Sequence, residues 1–168
     1  MRLNILLSFV LATALLAGCG FKLRGQVELP FASAYVDAPT NSLTEQLKRS
    51  LRTSNKILAA KREEAEVTIK LTAPSRGKSI LSLSGAGRVK EYRLEYKVNM
   101  KVLDAEGKEL LPDSEILMVR DFTYDDTQIL AKENEEGTLF QNMEQDALRS
   151  MLIRLRFAKA GGVSKAQE

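Results

Sequence analysis

The chain carries few of the side chains that enzymes use for covalent or metal chemistry. It has 168 residues, no histidine and a single cysteine, Cys19. Without histidine there can be no Ser-His or Cys-His nucleophile pair and none of the usual zinc sites. Gly85-Ala86-Gly87 is the nearest approach to a phosphate-binding loop, but it lies between two predicted strands and is typical of a hairpin turn. We therefore expect no catalysis and no cofactor.

Carboxylates are the remaining candidates for acid–base or divalent-cation chemistry. Asp125 and Asp126 are adjacent, and Glu133, Glu135 and Glu136 follow in a predicted helix. The same residues also fit an ordinary helix, in which an aspartate pair caps the N-terminus and glutamates line the solvated face. We favour the cap and the solvated face, and expect no metal site.

A strongly basic segment runs from Pro74 to Arg93. Its basic residues are Arg76, Lys78, Arg88, Lys90 and Arg93, and its one acidic residue is Glu91. A protruding cationic loop would suit an anionic ligand, because arginine can hold a phosphate with two hydrogen bonds. Alternatively, charges near a hairpin tip keep an exposed sheet edge from pairing with other chains. Both interpretations remain open at this point.

The N-terminal residues have the pattern of a secretory signal peptide. Arg2 precedes an apolar stretch from Ile5 to Ala17, which is shorter than the about 20 residues that a membrane-spanning helix needs. Leu16 to Cys19 resembles a bacterial lipobox, which implies cleavage after residue 18 and acylation of Cys19. Gly20 implies sorting to the outer membrane, since inner-membrane retention signals usually show Asp there. An ordinary secretory signal followed by a free thiol is the alternative.

The residues after the signal suffice for one domain held together by burial alone, because a lone cysteine excludes an internal disulfide. We expect a signal peptide over residues 1–18, a single domain over 19–157 and a disordered tail over 158–168. The net charge of +3 says little about partners.

Apolar periodicity predicts the elements that position these residues. Ser42 and Glu45 match a capping box, and leucines every fourth residue predict a helix that ends near Ser54 and Asn55. Strands are predicted near Ala34–Val36, over 67–71, from Lys90 through Val102, and between 115 and 124. The buried face of the last of these strands is left undecided.

A second helix is predicted to start at Asp125-Asp126 and to run to about Phe157. The residues expected on its apolar face are Ile129, Leu130, Phe140, Met143, Ala147, Met151 and Leu155. Gly137 interrupts this face, so we expect a kink or close packing there, and Lys132 is expected to pair with Glu136. The element order β-α-β-β-β-α predicts an α+β fold in which both helices cover one face of a mostly antiparallel four-stranded sheet.

Three stretches of the chain resemble the LPS-assembly lipoprotein family, LptE: Leu16 to Gly25, Glu91 to Asn99, and Ala131 to Glu136 leading into a helix that ends at Ile153 to Leu155. This resemblance spans nearly the whole mature chain in matching order. It implies a non-enzymatic outer-membrane lipoprotein, with two helices on a four-stranded sheet, that sits inside the β-barrel LptD. It further implies that the protein assists insertion of lipopolysaccharide into the outer leaflet and binds lipopolysaccharide through basic residues.

The resemblance also assigns residues. Lys132 falls in the matching Ala-Lys-Glu-Asn-Glu motif, and Arg88 or Lys90 stands near the position of a second basic residue of the family. The surface expected to meet LptD comprises Arg93, Glu95, Lys97 and Lys101 on the strand's polar face and Gly85, Ala86 and Gly87 of the turn. No nucleic-acid partner is expected.

Two rival functions stay open. The first is a different outer-membrane lipoprotein adaptor, such as an accessory subunit of a lipid transporter or of the barrel-assembly machinery, and co-purification with LptD would separate it from the LptE role. The second is a periplasmic hydrolase or metal-dependent enzyme, which only scattered carboxylates support.

Overall fold

The computed structural model describes residues 28–158, which form two helices, six strands and two short 3-10 turns. The main elements are β1 (Ser33–Asp37), α1 (Ser42–Thr53), β2 (Ile57–Leu58), β3 (Val67–Leu71), β4 (Ser75–Leu83), β5 (Val89–Asp104), β6 (Glu109–Thr123) and α2 (Ile129–Leu155). The predicted signal peptide and Cys19 lie outside the described residues. Between residues 28 and 158 no helix has the length and apolar character needed to cross a membrane.

All six strands belong to one mixed sheet. β1 pairs in parallel with β2 and with β3, whereas β5 pairs antiparallel with β3, β4 and β6. β1 and β3 can be parallel neighbours because α1 returns the chain to the same end of the sheet, as in a βαβ unit.

β5 is the central strand, and its two edges are covered differently. One edge pairs with β6 over almost the whole length of β5. The other edge is shared, because β3 pairs with residues 100–104 and β4 pairs with residues 89–97. Between β3 and β4 the Thr72 amide donates to the Asn99 carbonyl at 3.1 Å, and the Asn99 amide donates to Thr72 Oγ1 at 2.9 Å. β3 and β4 therefore act as one long strand with a short interruption.

The core lies on one face of β5, as the alternation predicts. The buried side chains of this face are Leu94, Tyr96, Val98, Met100 and Val102. They form a single cluster with buried residues from α1 and α2, so both helices cover the same face of the sheet. The opposite face carries the charged side chains of the strand.

α1 has the predicted extent, but its cap lies one residue earlier than expected. Asn41 Oδ1 accepts a hydrogen bond from the Thr44 amide at 3.0 Å, which satisfies an otherwise unpaired helix donor. Ser42 lies inside the helix and its hydroxyl accepts from Gln46 Nε2 instead. The capping-box assignment of Ser42 is therefore wrong, because an asparagine was available immediately before it.

α2 begins later than predicted, and its first part overhangs the core. Asp125 Oδ1 accepts from the Thr127 amide at 2.9 Å and caps the 3-10 turn Asp126–Gln128, after which α2 starts at Ile129. Ile129 and Leu130 were expected on the apolar face but are exposed, because the part of α2 that joins the core cluster begins near Phe140. The rest of the predicted stripe, through Leu155, is buried.

Close packing at Gly137 was one expectation, and it is wrong. A Cβ atom at this position would meet no heavy atom within 4 Å. The glycine lies on an open side of α2, which continues through it. At the other end of the helix Ala158, assigned to the tail, is buried in the core cluster.

The expectation of a four-stranded, mostly antiparallel sheet is also wrong. β2 has two residues, too few for a period to show. β4 contains the sequence Ser-Arg-Gly-Lys-Ser, which lacks an apolar alternation, and it becomes a strand because β5 offers it a backbone partner. β6 begins at Glu109, earlier than predicted. It buries Ile116 and Phe122, while Leu117 and Val119 stay exposed. The buried face of this strand, which the sequence left undecided, is therefore the one that carries Ile116 and Phe122.

Candidate functional site

The β4–β5 hairpin ends in a tight turn over residues 84–88. The Ser84 amide donates to the Arg88 carbonyl at 2.7 Å, and the Gly87 amide donates to the Ser84 carbonyl at 2.9 Å. Gly87 has a φ of 74°, a left-handed conformation that glycine adopts without steric cost. A Cβ at Gly85 or Gly87 would meet nothing within 4 Å, so the turn projects into open space. The predicted hairpin turn is confirmed.

Arg88 connects this turn to the start of α2. Its guanidinium Nη1 lies 3.2 Å from Asp126 Oδ2, in the 3-10 turn that precedes the helix. The Arg88 side chain is 75% exposed, so the contact is a solvated ion pair. A shared site for Arg88 and Lys132 requires the hairpin tip to lie near the helix start, and this contact satisfies that requirement.

Lys132 lies in the first turns of α2 and is less accessible than Arg88. Its side chain is 18% exposed, and its ammonium Nζ lies 2.8 Å from Glu135 Oε2. The expected pair with Glu136 is wrong, because Glu136 binds Lys78 of β4. The pKa of Asp125 is lowered mainly by the hydrogen bond from the Thr127 amide and further by the charge of Lys132.

Lys90 completes the set of basic residues predicted to bind a ligand. Its side chain is exposed, and its carbonyl accepts from the Tyr124 amide at 2.9 Å, which ties the hairpin to the segment before α2. Arg88, Lys90 and Lys132 therefore belong to one end of the molecule. Carboxylates occupy the same end, so an anion binding there would compete with Asp126 for Arg88 and with Glu135 for Lys132.

Arg76 and Lys78 do not belong to a protruding loop, contrary to the sequence interpretation. They lie in β4 and turn toward α2, where Arg76 is 3.6 Å from Glu144. The Lys78 ammonium lies 4.3 Å from the centroid of the Tyr92 ring while it binds Glu136. Each of these cations joins the sheet to the second helix.

Four of the five carboxylates considered for acid–base or metal chemistry have structural partners. Asp125 caps the 3-10 turn, Asp126 binds Arg88, and Glu135 and Glu136 bind lysines. Within residues 28–158 no group of three or more histidine, cysteine, aspartate or glutamate side chains could hold a metal ion. Asp125 acts as a cap and Glu135 pairs along the helix face, whereas Asp126 binds the hairpin and Glu136 binds the sheet.

The polar face of β5 carries ion pairs that run across the sheet. Arg93 makes two hydrogen bonds to Asp121, at 2.8 and 3.0 Å, and these raise the pKa of Arg93 and lower that of Asp121. Lys97 lies 3.4 Å from Glu115, and Lys101 binds Glu109. Glu95 is exposed on the same face. The four charged residues predicted to meet a partner thus share one face of β5, while Gly85, Ala86 and Gly87 lie in the turn beyond it.

A buried polar cluster escaped the sequence analysis. Glu144 of α2 is buried and accepts hydrogen bonds from Gln46 Nε2 at 2.7 Å and from the Tyr96 hydroxyl at 3.3 Å. It borders an open cleft of about 510 Å³ together with Arg76 and the start of α1. A signal was available, because Glu144 stands four residues after Phe140 and three before Ala147, on the buried stripe.

Comparison with known proteins places this fold. The family model described as "LptE: Lipopolysaccharide-assembly" matches residues 29–155. An "LPS-assembly lipoprotein LptE" of Yersinia enterocolitica is 28% identical over 174 residues, covering 100% of this chain and 83% of the relative. A protein of the same name from Photorhabdus laumondii is 28% identical over 162 residues, covering 94% and 88%.

Solved structures show the same architecture. The NMR structure of an uncharacterized lipoprotein B from Nitrosomonas europaea is 40% identical with a TM-score of 0.68, covering 79% of this chain and 88% of that one. The crystal structure of the rare lipoprotein B from Shewanella oneidensis is 25% identical with a TM-score of 0.66, covering 73% and 92%. The matched region takes in both helices and every strand, and the chain belongs to the lipopolysaccharide-assembly family LptE.

Proposed function

We propose that this protein is an outer-membrane lipoprotein, anchored through acylated Cys19, that occupies the LptD β-barrel and assists lipopolysaccharide assembly into the outer leaflet. It catalyses no reaction and acts by binding. Lipopolysaccharide phosphates contact Arg88 and Lys90 first, and Lys132 contributes from a deeper position. The family match over residues 29–155 carries this proposal, and the contact between the hairpin end and the start of α2 supports the ligand site.

The exposed pair between Arg88 and Asp126 leaves room for a phosphate. Solvated ion pairs contribute only about 0–1 kcal/mol to stability, so the carboxylate is easily displaced. Asp126 also engages only one guanidinium nitrogen, and the other donors remain available for a second oxygen. Charge-assisted hydrogen bonds from arginine to phosphate are frequently bidentate, and solvent screens them as it screens the pair with Asp126. A phosphate that accepts from two guanidinium nitrogens can therefore compete with Asp126, which accepts from one.

The charged face of β5 suits a polar barrel lumen. The interior of many outer-membrane barrels is polar, whereas the surface that faces lipid is apolar. Cross-strand pairs such as Arg93–Asp121 hold the charged side chains in fixed positions, so a partner does not have to order them. The open turn at Gly85–Gly87 adds backbone groups that a barrel wall can approach closely.

Lipopolysaccharide binding is tested with the double variant Arg88→Ala, Lys132→Ala in the full lipoprotein. We expect affinity to fall at least about fivefold, or roughly 1 kcal/mol, with unchanged melting, and wild-type affinity to fall as salt is added. Arg149→Ala, Lys48→Ala is the matched control, because Arg149 is 73% exposed and both cations make helical i,i+3 pairs. Equal affinities of the two double variants would exclude these basic residues as the ligand site.

The barrel partner is tested by photo-crosslinking in cells. A crosslinker at Arg93, Glu95, Lys97 or Lys101 should capture LptD, while one at the buried positions Leu94 and Val98 should not. Capture from both sets, or from neither, would contradict the proposed surface. If tagged protein instead purified with a lipid transporter or with the barrel-assembly machinery, the rival adaptor function would replace the LptE role.

The lipid anchor has its own test. Cys19→Ala should abolish incorporation of labelled palmitate and leave the signal peptide uncleaved. Stable anchoring in the outer membrane takes more than one acyl chain, so the unprocessed variant should be mislocalised away from the outer membrane unless the barrel retains it. Palmitate labelling of the variant at the wild-type level would disprove acylation of Cys19.

A further inference from the structure

Apolar side chains gather at the same end of the molecule as the basic residues. The end of the β4–β5 hairpin, residues 80–93, is here called the hairpin arm. Of the ten large apolar side chains that are exposed among residues 28–158, five lie on this arm or at the start of α2. These five, here named the tip patch, are Ile80, Leu81, Leu83, Ile129 and Leu130. Leu130 is 77% exposed and Ile80 is 57% exposed. Concentrated apolar exposure of this kind is typical of a binding surface.

The fold leaves the tip patch without a covering layer. β1 covers the outer edge of β3 but does not extend along β4, so β4 is a sheet edge. α2 contacts β4 through Glu136 and Lys78, but Ile80, Leu81 and Leu83 beyond this contact stay exposed. Leu83 nevertheless stands opposite Val89, immediately beside Arg88 in the hairpin. Apolar side chains and phosphate-binding candidates are therefore only a few residues apart.

The edge of β4 is poorly shaped for pairing with a strand of another protein. Its register with β5 shifts between Ile80 and Ser82 and again between Ser82 and Leu83. Such bulges break the regular row of backbone donors and acceptors and discourage edge-to-edge pairing. Acyl chains, in contrast, need apolar area and no hydrogen bonds. Apolar side chains on an irregular edge, flanked by cations, match a phosphorylated lipid better than a β-strand.

We propose that the tip patch binds the acyl chains of lipopolysaccharide while Arg88 and Lys90 bind its phosphates. This inference rests on the proposed function and adds a second contact to it. The hairpin arm then holds both halves of one amphiphile, which shields the chains from water during transfer. Each aliphatic side chain contributes through the apolar area it removes from water.

The test compares intact lipopolysaccharide with its fully deacylated form, which keeps the sugars and phosphates. Binding of each is measured for the full lipoprotein in one detergent. Ile80→Ser, Leu83→Ser should bind the intact ligand at least about fivefold more weakly, or roughly 1 kcal/mol, and the deacylated ligand as well as wild type does. Ile57→Ser, Ile153→Ser is the matched control, since both isoleucines are exposed but lie outside the tip patch.

The outcomes separate this inference from the function on which it rests. If wild type binds neither ligand, the proposed lipopolysaccharide binding fails. If wild type binds both but the serine variant keeps its affinity for the intact form, only the acyl-chain site fails. Equal loss for both ligands would show that the substitutions act on the fold or on the cations and would overturn the inference. If the serine variant loses photo-crosslinking to LptD but binds both ligands as wild type does, the tip patch contacts the barrel and the acyl-chain site is overturned.

Discussion

At its C-terminal end β5 lies between β3 and β6, and over residues 89–97 it lies between β4 and β6. The helices cover β5 from Leu94 to Val102, whereas residues 89–93 extend past these buried positions into the hairpin arm. Met100 and Val102 at the first end are fully buried. Tyr92 at the second end is half-buried, and its neighbour Ile80 is exposed. The same alternation therefore produces a stable body at one end and an open surface at the other. The residues that stabilise the fold and those proposed to bind the ligand are therefore separated along a single strand.

The largest difference in the free energy of unfolding is expected between side-chain truncations at the two ends of β5. Met100→Ala leaves a cavity in the closed body and should lower the free energy of unfolding by about 2–5 kcal/mol. Ile80→Ala removes an exposed side chain and should change it by about 0.5 kcal/mol or less. Urea unfolding of the two variants measures both values. Similar losses at the two positions would show that the arm is part of the cooperative core.

A smaller effect is expected where α1 and α2 meet the sheet. Glu144→Ala removes the acceptor of the Tyr96 hydroxyl and leaves this buried group unpaired, while the half-buried Gln46 amide keeps only its bond to Ser42 Oγ. Such a loss costs about 1–3 kcal/mol. Glu133→Ala, on an exposed face of the same helix, should stay within about 0.5 kcal/mol of wild type. A wild-type melting temperature for Glu144→Ala would mean that water satisfies the cluster.

Alkaline pH should lower the free energy of unfolding through ionisation of the buried Tyr96. Burial raises the pKa of Tyr96, and the charge of Glu144 raises it further. The folded state therefore favours the neutral phenol, while the unfolded chain ionises near pH 10. Stability from this group is present below about pH 10 and is lost as the pH rises above it. Tyr96→Phe should have a flatter decline in unfolding free energy between pH 9 and about 11, and an unchanged decline would contradict the assignment.

Apolar periodicity predicted the helix-covered part of the molecule better than it predicted the hairpin arm. β5, α1 and the stripe from Phe140 to Leu155 each bury one face, and burial of one face leaves a repeating apolar pattern in the sequence. β4 has no such pattern, because its structure depends on the backbone of β5. The sequence therefore misplaced Lys78 in a loop.

Charge partners depend on contacts between distant segments, which spacing along one helix does not show. Glu136 was expected to bind Lys132 four residues before it, yet it binds Lys78 from β4. Lys132 turns to Glu135 instead. The sequence placed Arg88 near the start of α2 only through the assumption that Arg88 and Lys132 bind the same ligand.

The central claim is that the open end binds lipopolysaccharide phosphate through Arg88, in competition with Asp126. It is tested most directly by the affinity of the full lipoprotein for lipopolysaccharide at low salt in Asp126→Asn, Arg88→Ala and the double variant. The account predicts that Asp126→Asn binds about two- to fivefold more tightly, because it frees the guanidinium from an exposed pair that contributes about 0–1 kcal/mol. Arg88→Ala should bind several-fold more weakly, and the double variant should resemble Arg88→Ala. Weaker binding by Asp126→Asn, or no change in either single variant with the fold intact, would contradict the account.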